Sequence, residues 1–232
     1  VIILRDQLLA PSYILLLGLV LTIIVALESL YYVPWSPYFL IYAILAIIIP
    51  VYIKSYKFGS LKSAFSKENI QRFIIFFLTI FIVLYIIEFC YNYILSIYGL
   101  YDNPYYNLDR ALEALANRAG FKFGISAEIA IGIYAIYVIA WAPIGEELFY
   151  RGYMFGGLRK KYSFNTSAIV SSLFFGVRHM THFIFILPLY PFYAAIYWAF
   201  HTFIFGLIIS YVYEKTDSLH VPILIHFLYN LI

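Results

Sequence analysis

Two adjacent carboxylates, Glu146 and Glu147, and an arginine four residues on, Arg151, lie in a run that is otherwise apolar from Ile129. The surrounding chain makes that placement costly. Hydrophobic residues are 64% of the sequence and charged residues 12%, with a mean hydropathy of +0.88. A soluble domain of this length has no use for so much apolar surface, so the composition predicts a multi-pass membrane protein. Ionisable side chains at membrane depth face the bundle interior and mark a functional site. On a helix Glu147 and Arg151 share a face and can pair, which predicts a supporting ion pair. Glu146 points about 100° away and has no partner within the segment. That makes it the candidate for acid–base chemistry. Pro143, just upstream, frees the carbonyl of Ile139 and is expected to bend the axis.

Read in order, the chain predicts an all-α, multi-pass transmembrane helical bundle with about seven or eight membrane helices and amphipathic interfacial segments. Spans are expected at Leu8 to Leu30, Tyr38 to Ile53 and Phe73 to Tyr98, the first being too long for a cleavable signal. Glu28, Glu88 and Asn92 interrupt these runs. Phe58 to Ile70 reads as interfacial. Gly99 to Lys122 reads as a short surface helix capped by Asn107, with Gly120 past its end and a solvated charged face. Ser126 to Leu158 is expected as one long helix. Thr166 to Met180, Phe192 to Tyr213 and Leu219 to Ile232 follow as spans, with a tight turn at Glu214 to Asp217. Thr181 to Pro191 reads as a loop or a broken re-entrant segment. Cys90, the single cysteine, reads as packing and forms no intrachain disulfide. Two units are expected: residues 1–125, membrane helices and amphipathic segments, and residues 126–232, a catalytic core. Basic residues cluster at Lys54 to Arg72 and Arg159 to Lys161, which puts those loops and the N-terminus in the cytoplasm. A net charge of +3 is too small to suggest nucleic acid.

His179, His226 and Asn230 are the other polar groups at depth. Counting about 1.5 Å of rise per residue from the basic ends brings Glu146, His179 and the His226–Asn230 pair to a similar level on three helices. Those side chains suit hydrolysis: Glu146 as base towards water, His179 orienting it, His226 and Asn230 donating to an oxyanion. The alternative is a zinc site with Glu146, His179 and His226 as ligands. Asn230 is a poor zinc ligand, so no obligatory cofactor is expected. No His-Glu-x-x-His, Gly-x-Ser-x-Gly or phosphate-loop motif occurs.

Three spaced motifs carry a resemblance: Glu146-Glu147-x-x-x-Arg151, Phe175-x-x-x-His179 and His226-x-x-x-Asn230. In this order they resemble the CPBP family, which includes the type II CAAX prenyl endopeptidases, over roughly Ile129 to Ile232. The resemblance implies an intramembrane endopeptidase cutting near the C-terminus of a membrane-anchored protein or peptide, with prenylated CAAX-type proteins as one candidate class. It implies Glu146 as the water-activating glutamate, His179 as its assistant and His226 with Asn230 as the oxyanion site. It also implies a site open to the cytoplasm. A non-catalytic scaffold or immunity-type factor of the same fold is the alternative. A proton-coupled transporter is a weaker one, since no internal repeat is visible.

Overall fold

The computed structural model describes residues 7–28, 37–53, 59, 64–136, 139, 141–181 and 191–231. All regular structure among them is helical. The order is α1 (Pro11–Glu28), α2 (Pro37–Ile53), α3 (Lys67–Ile97), α4 (Leu108–Phe123), α5 (Ala127–Ile136), α6 (Ala142–Glu146), a π-helical segment (Glu147–Phe155) with a last α turn (Gly156–Leu158), α7 (Phe164–Met180), α8 (Phe192–Thr216) and α9 (His220–Leu231).

Local sequence chemistry sets the ends. Pro11 and Pro37 open their helices, where a missing N–H costs nothing. Ser66 and Ser163 cap α3 and α7, accepting from the N–H of Asn69 and Thr166. Asn107 caps α4 as expected, its Oδ1 accepting from Asp109 at 3.0 Å and Arg110 at 3.2 Å. That helix overruns Gly120 and stops before Gly124, whose φ of +65° suits a residue without Cβ. On its exposed face the hydrogen bond to Glu113 holds the Arg110 guanidinium above its ordinary range, with Asp102 adding to the effect. Helix α8 continues past Tyr213, and Asp217 in the left-handed region ends it. Residues 182–190, and residues 58 and 60–63 of the stretch Phe58 to Ile70, lie outside the described residues. Lys67 to Ile70 already belongs to α3.

Within the helix expected from Ser126 to Leu158 the described residues from Ala127 on are all helical, but not in one register: α5, α6 and the π-helical segment follow one another, and the Gly156 N–H reaches five residues back to Arg151. Pro143 in the first turn of α6 cannot donate to the preceding turn. Ser171 on α7 donates to the Tyr150 carbonyl at 2.8 Å, bracing the wide turn.

Among the described residues two helices, α3 and α8, are long and apolar enough to cross a membrane, and the apolar stretches Pro11–Leu27, Ile44–Ile53 and His220–Leu231 are shorter. Along α3, Ile75, Phe89 and Tyr93 are about 60% exposed, an arrangement suited to lipid and not to water. Cys90 is exposed on this helix, so it does not pack in the core as expected. The bundle has a basic end: Arg72 donates to the Lys215 carbonyl at 2.7 Å and Arg159 pairs with Glu214 at 2.8 Å.

Helices α7 and α8 touch through small residues. A Cβ on Gly176 would lie 2.5 Å from the Ala199 carbonyl oxygen, and one on Gly206 would lie 3.0 Å from Ser172. Backbone approach of this kind drives helix association in lipid, where apolar burial contributes little. Gly176→Ala must push the helices apart and is expected to lower stability by about 1–3 kcal/mol. Thermal unfolding in detergent reads this, and an unchanged midpoint would show that the contact is not tight.

Candidate active site

Four elements converge beneath a cavity of about 250 Å³. Helix α6 ends on Glu146, and the π-helical segment carries Glu147 and Arg151. Helix α7 ends on Phe175, Arg178 and His179, and α9 brings His226 and Asn230. Glu146, Glu147, Arg151, Arg178, His179 and His226 are all buried. Asn230 lines the cavity with them.

Glu147 is held from two sides. Arg151 Nη1 lies 3.2 Å from its Oε1, and His226 Nδ1 lies 2.7 Å from the same atom. The carboxylate can only accept, so His226 Nδ1 carries a proton and donates it. Nε2 is then the atom His226 presents to the cavity. The Arg151 contact satisfies ion-pair distance but not hydrogen-bond angle, and among the described residues none of the three guanidinium nitrogens has a hydrogen-bond acceptor. Its remaining contact is a cation–π one, 4.4 Å above the Phe175 ring. The expected supporting pair is therefore present, and it reaches further than expected because it also orients His226.

Glu146 has no partner within its own segment, as expected, and meets one from α7 instead: Arg178 Nη1 lies 2.7 Å from its Oε1. The same nitrogen lies 2.9 Å from His179 Nε2. A guanidinium only donates, so His179 Nε2 accepts. Its Nδ1 is 2.7 Å from the Phe175 carbonyl oxygen and donates there. The ring is thus assigned as the neutral Nδ1–H tautomer. Tyr42 on α2 covers the guanidinium, ring centroid to Cζ 4.9 Å. Glu146 Oε2 remains, 4.0 Å from His179 Nε2 and 3.8 Å from His226 Nε2.

The structure brings Glu146, His179 and His226 together, with Asn230 on the same cavity wall. The residue missed by sequence reasoning is Arg178. A signal for it existed: Glu146 and Arg178 carry opposite charges in two otherwise apolar segments, and pairing them balances both. Phe175, noted as a motif position, supplies the carbonyl for His179 and a ring edge to both histidines.

The donor set does not fit zinc. Among the described residues no group of three His, Cys, Asp or Glu side chains is arranged to hold a metal ion. His179 Nε2 spends its lone pair on Arg178, and a guanidinium beside Glu146 opposes a second cation.

Residues 129–232 match the family Type II CAAX prenyl endopeptidase Rce1-like. No curated protein and no solved structure gives a significant match. The Rce1-like region contains every residue from Glu146 to Asn230 named above. The family and the span agree with the resemblance read from the three motifs. The cavity is not built from this region alone: Glu88 and Asn92 of α3, Asn107 and Asp109 also line it. Asp109 is exposed, as the solvated charged face predicts, and it stands at the edge of this cavity.

Removing one member of the buried Glu147–Arg151 pair leaves the other charge uncompensated, at about 3–5 kcal/mol. Arg151→Leu and Glu147→Gln are both expected to melt at lower temperature in detergent. An Arg151→Leu protein with wild-type stability but no activity would give Arg151 a direct chemical role.

Proposed function

We propose that the chain is an intramembrane endopeptidase that hydrolyses a peptide bond near the C-terminus of a membrane-anchored protein or peptide, prenylated CAAX-type proteins being one such class. The family match carries the coarser statement of a CAAX-type membrane protease. One observation carries the finer one: Glu146 Oε2 is directed between two histidine Nε2 atoms, at 4.0 and 3.8 Å, while its other oxygen is held. A water molecule there can give its proton to Oε2 as its oxygen bonds to the scissile carbonyl carbon. The oxyanion so formed takes hydrogen bonds from Asn230 and from His226 Nε2 when that atom carries a proton. Collapse breaks the C–N bond, and Glu146 returns the proton to the leaving amine. No metal enters this scheme.

The architecture that goes with this reading is about seven or eight membrane crossings, with residues 126–232 as the catalytic core and residues 1–125 shaping substrate capture. Glu88 and Asp109 would serve the second task. Membrane lipid and the anchored substrate are the partners.

Orientation is a distinct point. The cavity-lining residues come from the C-terminal parts of α3, α7 and α9, the N-terminal half of α8 and the start of α4. That is the end of the bundle away from Arg72, Arg159 and Lys215. Under the positive-inside rule it faces away from the cytoplasm. A substrate made in the cytoplasm requires the inverted arrangement. In a Cys90→Ser background, Asp102→Cys is expected to react with an impermeant maleimide from the cytoplasmic side. Labelling of Lys160→Cys from that side instead would overturn the cytoplasmic opening.

Glu146→Gln is expected to lower kcat by about 10²–10⁴, and Asn230→Ala to lower kcat by about 10²–10³ with little change in KM. Exhaustive chelation should leave the rate intact. Cleavage that is unaffected by Glu146→Gln, or that is lost with chelator and restored by stoichiometric zinc, would reject the mechanism.

A further inference from the structure

Arg178 lies between two of the motif residues, and nothing in the three motifs includes it. Its Nη1 contacts Glu146 Oε1 at 2.7 Å and His179 Nε2 at 2.9 Å, and its side chain is 3% exposed. An –NH₂ group has two hydrogens, so one nitrogen satisfies both acceptors at once. Two consequences follow. The carboxylate is fixed about its terminal torsion, with Oε1 bound and Oε2 turned to the histidine pair. His179 Nε2, the atom that would touch water if the ring assisted directly, is occupied by the guanidinium.

We infer that Arg178 is a positioning residue for Glu146, and that His179 acts through Arg178 instead of on the attacking water. The chain of contacts runs from the Phe175 carbonyl to His179 Nδ1–H, from His179 Nε2 to Arg178, and from Arg178 to Glu146 Oε1. Donation diverges from Arg178, towards Glu146 Oε1 on one side and towards His179 Nε2 on the other, whose Nδ1–H passes on to the Phe175 carbonyl. Tyr42 closes the outer face of the guanidinium and keeps it from swinging away. Packing supplies the last element: Gly176 lets α7 approach α8, which sets where Arg178 and His179 leave the helix. The role of Arg178 is thus to present a single carboxylate oxygen in a fixed direction, the kind of support that precise acid–base geometry needs.

This inference rests on the proposed role of Glu146, and a double-mutant cycle separates the two. In the purified full chain, Arg178→Ala is expected to lower kcat by about 10- to 100-fold with KM changed far less. Guanidinium ion at a non-denaturing concentration should recover part of the rate, with tetramethylammonium as the ionic-strength control. Arg178→Lys should fall between wild type and alanine. His179→Ala should cost little more in the Arg178→Ala background than Arg178→Ala alone, because both remove one chain of contacts. Multiplicative losses in the double variant, or absent guanidinium recovery, overturn the inference while Glu146→Gln still reports on the base. A parallel cycle in thermal unfolding needs no substrate. Arg178→Gln alone should destabilise the protein, and combining it with Glu146→Gln should restore much of the loss. Additive losses there break the Arg178–Glu146 link whether or not any peptide is cleaved.

Discussion

Two buried carboxylates, one residue apart, must each meet a cation in an interior with no water to spare. Glu147 meets Arg151 from its own segment and His226 from α9, whereas Glu146 meets Arg178 from α7. Losing a partner at this depth costs several kcal/mol, as much as a marginally stable bundle has to give. The docking of α7 and α9 onto the π-helical segment is therefore specified by charge as much as by packing. Apolar surfaces in lipid slide past one another at little cost, but a guanidinium that must find a carboxylate tolerates no slip of a helical turn.

The backbone around these charges is irregular for the same reason. Pro143 removes one helical donor, and the wide turns after Glu146 leave carbonyls that α7 helps to satisfy through Ser171. Irregular backbone is tolerated at membrane depth only where it is buried in protein or lines a cavity. Here it does both. The α7–α8 contact through Gly176 and Gly206 gives the rigid wall against which the polar cluster is set.

The cavity joins the two halves of the chain. Its floor comes from the Rce1-like region and part of its wall from α3 and the start of α4. Tyr91 stacks on Tyr197 at 3.9 Å and donates to the Tyr106 carbonyl, tying α3, the following turn and α8 together at the rim.

Much of this was legible from residue order alone. Hydropathy marked the apolar helices, Asn107 and the prolines marked ends, and three spaced motifs named Glu146, His179, His226 and Asn230. The Glu147–Arg151 pair followed from helical spacing, since residues four apart meet whatever else the chain does. Long-range pairing was not legible. Arg178 and Glu146 are far apart in sequence, and no local period says which face of α7 will turn to α6. The change of register within the Ser126 to Leu158 helix was only half visible, because Pro143 signals a kink but not a π-helical register. Sequence by itself determined which residues could not face lipid, because transfer energies belong to side chains. Only the tertiary structure decided which of them would meet, because a hydrogen bond exists between two atoms at one distance and one angle.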